Sequence, residues 1–80
     1  SNLVDSLETL QSALEIFRAV SSKSEEAEVL KDLAIVYWEL DRQKLAIESC
    51  NKALAMATQL DIPLVKDCQE LKQALELSIK

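Results

Sequence analysis

The chain has 80 residues, nine Lys and Arg against 14 Asp and Glu, no His, no Gly and one Pro. Its length suits one small domain (1–80), which buries only about 60% of the surface its unfolded chain exposes. The net charge of −5 and the scattered basic residues argue against nucleic acid, which calls for a clustered cationic face. No apolar stretch nears the roughly 18–20 residues that span a bilayer, so no membrane role is expected.

Without Gly, tight β-hairpins have few residues suited to positive φ, and the abundant Leu, Ala, Glu, Lys and Gln favour helix. The first helix is predicted over Leu3 to Val20. Leu3, Leu7, Leu10, Leu14 and Phe17 recur at steps of four and three and share one face. Asn2 precedes them as N-cap, with Asp5 in the first turn. Ser22 and Glu25 have the spacing of a capping box opening a second helix. That helix runs to about Leu40 with Glu25, Glu26 and Glu28 near its positive end. Its apolar residues, Ala27 through Leu40, go most of the way round, so a single buried face does not account for them.

A third helix is predicted from about Arg42 to Leu60, burying Ala46, Ile47, Cys50, Ala53, Leu54, Ala57 and Leu60. Asp61-Ile62-Pro63 ends it, because Pro is tolerated in a first helical turn but not inside a helix. The fourth runs from about Pro63 to Ile79 and buries Leu64, Cys68, Leu71, Leu75 and Ile79. Short connections make consecutive helices antiparallel neighbours. Two all-α architectures satisfy that: a closed four-helix bundle, or an open stack of helical hairpins.

Internal similarity favours the stack. With the first helix set over the third, Ser6–Leu14 lies on Ala46–Leu54 and nearly every pair matches in size or polarity. Leu30, Leu33, Ala34 and Tyr37, followed by Ala46, Cys50, Ala53 and Leu54, then resemble the tetratricopeptide-repeat pattern of large, large, small, aromatic, small, bulky, small. Ala34, Ala46 and Ala53 would let helices approach closely. The resemblance covers one full repeat, Ala27 to about Leu60, in a roughly 40-residue variant with half-repeats on either side. Asp41 stands at the family's turn Gly, Gln43 at an expected aromatic, Cys50 at a bulky position and Thr58 at the closing Pro. The resemblance implies a TPR-like right-handed α-solenoid fragment of four helices, acting as a protein-interaction scaffold.

Catalysis finds no support in the residues. Without His there is no His-activated nucleophile and no His-containing metal site, and without Gly no phosphate-cradling loop. Cys50 and Cys68 read as buried thiols, Cys68 with Asp67 and Glu70 beside it to raise its pKa. No enzyme activity, cofactor or metal is expected. No secretory leader is evident, so a cytoplasmic location is expected.

The resemblance places one face of the second helix in a partner-binding groove, with Glu28, Lys31, Asp32, Ile35, Trp38 and Glu39 on it. Ile35 and Trp38, three apart and rimmed by charge, have the composition of an interaction anchor; Trp38 reads equally well as core. Ile35 stands where the family's clamp for a peptide carboxylate wants Asn, which argues against that ligand. The expected partner is a protein or peptide. Two hairpins bury too little apolar surface for an independent solenoid. The chain is therefore expected to self-associate through Leu3, Leu7, Leu10, Leu14 and Phe17 as a homo-oligomer, or to belong to a longer array. The competing expectation is a dimerising bundle without a groove.

Overall fold

The computed structural model describes residues 2–79, which form four α-helices and, among those residues, no strand. They are α1 (Leu3–Ala19), α2 (Lys23–Glu39), α3 (Gln43–Leu60) and α4 (Leu64–Ser78), each within one residue of its sequence-based bounds. Asn2 caps α1 by accepting a hydrogen bond from the Asp5 N–H at 3.3 Å. The capping box at Ser22 does not form, for Ser22 makes no side-chain cap bond. Its backbone N–H, which Glu25 would have to reach, already donates to the Phe17 carbonyl at 2.8 Å. Two residues expected inside the fold are not: Leu60, the last residue of α3, is 38% exposed at the turn, and Ile79 is 43% exposed because α4 ends one residue before it and no helix follows to cover it among the described residues.

The Ser22 bond belongs to a turn used three times. Ser21, Asp41 and Asp61 all adopt left-handed backbone conformation, with φ of 58°, 63° and 54°. After each, the next N–H reaches back five positions: Ser22 to Phe17, Arg42 to Tyr37 and Ile62 to Ala57. The left-handed residue itself bonds three back, to Arg18, Trp38 and Thr58. These pairs are Schellman motifs, which satisfy the orphan carbonyls of a helix end. The three turns are evenly spaced along a chain that has no Gly to ease them.

A side chain in the left-handed region costs energy that Gly avoids. Asp41→Gly is therefore expected to raise stability by about 0.5–1 kcal/mol, several degrees in Tm. Thermal melts beside Asp41→Ala check this; equal melting temperatures for the two variants would refute it.

The helices stack rather than close. α2 lies between α1 and α3, α4 packs on α3 and reaches α2 at a few points, and α1 lies beside α2 alone. With extents of 37 × 27 × 17 Å, the described residues form a slab. The closed bundle is thereby excluded, since α1 and α4 would have to meet.

Small residues set the spacing. Ala27, Ala34, Ala46, Ala53 and Ala57 are all fully buried. Ala34, Ala46, Cys50 and Leu75 form one core cluster, and Val29, Leu30, Leu33, Ala53 and Cys68 another. At the α1–α2 turn the buried Glu26 carboxylate accepts from Arg18 Nε at 3.0 Å and lies 3.8 Å from Lys23 Nζ. That pair ties the end of α1 to the start of α2.

Candidate functional site

Besides the Glu26 carboxylate, two thiols are titratable groups buried inside the fold. Cys50 and Cys68 are free and fully buried, and Cys50 Sγ–H donates to the Cys68 carbonyl at 3.6 Å. Cys50, small where the repeat pattern wants bulk, is what allows α4 to bring that carbonyl so close. Burial raises both thiol pKa values; for Cys50 the neighbouring Cys68 adds to it. For Cys68 the acidic neighbour Asp67 is a minor cause, and Lys31 opposes the rise. A raised pKa is the reverse of what a nucleophilic thiolate needs. Among the described residues no three His, Cys, Asp or Glu side chains are grouped to hold a metal.

Raised thiol pKa values have a stability consequence of definite sign. The unfolded chain begins to release its thiol protons near 9.0 while the folded chain retains them. The stability held by the protonated thiols is thus intact below pH 9 and drains away above it. Urea unfolding at about pH 8 and about pH 10 is expected to show a fall in midpoint that shrinks in the Cys50→Ala/Cys68→Ala variant. An equal fall in both proteins would assign the alkaline loss to other groups.

The six residues assigned to a partner-facing side of α2 divide among four settings. Asp32 and Ile35, joined by Val36, face Asp5, Ser6 and Leu10 of α1 across an open groove of about 510 Å³. Ile35 is 39% exposed there. Glu28 and Lys31 border a second depression, of about 450 Å³, formed with Ile62, Pro63 and Asp67 at the start of α4. Trp38 is half-buried and packs on the Ala34–Ala46–Cys50–Leu75 cluster. Glu39 is exposed at the last position of α2. The six run along one side of α2; α1 borders one edge of it, and the start of α4 comes near the other beside Glu28 and Lys31.

Sequence reasoning misses the α1 half of the larger groove, since it gives Asp5 only a helix-dipole role and Ser6 none. The signal is present in the match between the first and third helices, which sets Ser6 and Leu10 over Ala46 and Cys50, two core positions.

The α1 stripe assigned to self-association is half-buried at all five positions, Leu3, Leu7, Leu10, Leu14 and Phe17. The last four pack on the cluster that contains Val29, Leu30 and Leu33 of α2. More exposed on this part of the chain are Val4, Ile16 and Val20, at 55%, 60% and 65%.

No helix among the described residues is long and apolar enough to cross a membrane. A family model described as tetratricopeptide repeat matches residues 1–59, taking in α1, α2 and all but the last residue of α3. No curated protein and no solved structure matches the chain.

Proposed function

The chain belongs to the tetratricopeptide-repeat family, and from that premise we propose that it is a non-enzymatic interaction module that takes a partner protein or peptide segment along α2. Repeats of this family generally mediate contacts between proteins. The observation that carries the reading is Ile35, a large apolar side chain 39% exposed beside the exposed Asp32. An apolar anchor rimmed by charge suits protein recognition, because desolvating it contributes affinity while the rim sets orientation. Glu28, Lys31 and Glu39 extend the polar rim along the same helix. Trp38, packed in the core cluster, acts here by holding α2 in place. Two free thiols suit a reducing compartment, which supports a cytoplasmic location.

Ile35→Glu tests the reading. The position is exposed enough for the fold to persist, as circular dichroism and an unchanged melt would verify. Affinity capture with both proteins as bait is expected to lose a specific partner with the variant, by about tenfold or more. A partner set identical for the folded variant and wild type would remove α2 from the site.

A second reading is self-association through the α1 stripe, favoured by the fact that α1 has no buried residue at all. Sedimentation at micromolar concentration decides it: a monomer insensitive to dilution rules it out.

A further inference from the structure

The fold carries its own template for what covers the α1–α2 groove. The left-handed turns recur at Ser21, Asp41 and Asp61, and α1 and α3 begin two such intervals apart, at Leu3 and Gln43. The surface that α3 and α4 present to α2 is therefore presented again, one repeat earlier, by α1 and α2. In the later copy Ala46, Cys50 and Leu75 are 0%, 0% and 5% exposed, packed with Ala34 of α2 and flanked by its Tyr37 and Trp38. One repeat earlier those positions are Ser6, Leu10 and Ile35, and all three line the open groove. Ser6 is exposed, Leu10 half-buried and Ile35 39% exposed. An Ile at a position whose counterpart is buried, on a surface whose counterpart is covered by a helix, marks a seat for another helix.

Charge distinguishes the occupant from α2. The charged side chains lining the groove are Asp5 and Asp32. Their counterparts one repeat on are Leu45 and Lys72, so the rim has turned acidic. A second copy of this chain offers α4, whose positions matching Leu30, Leu33, Ala34 and Tyr37 are Glu70, Gln73, Ala74 and Leu77, all exposed. That face is mostly polar and would bring Glu70 toward an acidic rim. We propose that the α1–α2 groove is the docking site for one amphipathic helix of a partner protein. The helix lies as α2 lies on α3 and α4, with a small residue at the centre of its apolar stripe and basic residues along its edges. The proposal rests on the interaction-module reading and adds the partner's form and charge.

Two labelled peptides test it. One has the α2 sequence, Lys23–Glu39; the other has the same sequence with Glu25→Lys, Glu28→Lys and Glu39→Lys, positions exposed on α2. Fluorescence anisotropy is expected to show saturable binding of the basic peptide, about tenfold or more tighter than the acidic one. Ile35→Asn in the protein is expected to weaken it by about tenfold, and Asp32→Lys to abolish the preference between peptides. Both positions are exposed, and a melt confirms folding of each variant. The proposal is overturned by absence of saturable binding, by binding indifferent to Ile35→Asn, or by a preference that survives Asp32→Lys. A dimer of the free protein that Ile35→Asn dissociates would also overturn it, assigning the groove to a second copy. If the peptide fails while Ile35→Glu still loses its captured partner, the helical occupant falls and the interaction-module reading stands.

Discussion

Leu33→Ala is expected to lower stability by about 2–5 kcal/mol, the usual range for a large-to-small change in a packed core. Leu33 is 2% exposed and sits in the cluster with Val29, Leu30, Ala53 and Cys68. On the other side of α2, Leu7, Leu10, Leu14 and Phe17 of α1 pack on the same cluster. Removing the isobutyl group thus opens a cavity that α1 and α3 both border, and neither helix can collapse into it without leaving other contacts. A chain of 80 residues has roughly 4–12 kcal/mol of stability to lose, so the variant is expected to approach half-unfolding in mild denaturant. Urea unfolding by circular dichroism checks this. A loss below about 1 kcal/mol would show that α2 is not the element joining the two hairpins.

Ala46→Leu is expected to cost about 1–3 kcal/mol although it adds apolar surface. Ala46 is shut off from solvent, in a cluster with Ala34, itself fully buried, and Leu75. A larger side chain there forces α2 and α3 apart and disturbs the packing that Tyr37 and Trp38 make on the same cluster. Ala55→Leu, at an exposed position of the same helix, is the control and is expected to stay within about 0.5 kcal/mol of wild type. Equal melting of the two variants would mean that close helix approach does not depend on the small residue.

Much of this architecture is legible residue by residue. The steps of three and four along α1, the Asn2 cap and the Asp61-Ile62-Pro63 stop are local signals, and the bounds they imply agree with the helices to within one residue. The alanines at 34, 46 and 53 are readable because a small residue in an otherwise large apolar pattern has few reasons to be there beyond close approach. The Ser22–Glu25 spacing misleads because the motif is silent about whether its backbone donor is already taken by the preceding turn. Glu26 looks in the sequence like one of several dipole charges; only the approach of Arg18 from the end of α1 makes it a buried, paired carboxylate.

The site is legible in direction but not in division. A helical wheel puts Glu28, Lys31, Asp32, Ile35, Trp38 and Glu39 on one side of α2, since angular position follows from the helical turn alone. It cannot say that α1 leaves a groove beside Asp32 and Ile35 while Trp38 packs into the cluster shared with Ala46, Cys50 and Leu75. Helix formation, capping and turn placement depend on close neighbours in the chain, so the order of residues dictated four helices, their ends and the repetition of the first in the third. Which flank of each helix is covered depends on side chains from other helices, far along the chain, whose contact is settled when the helices stack. That step closed the surface over Cys50 and Leu75 and left its counterpart at Leu10 and Ile35 open.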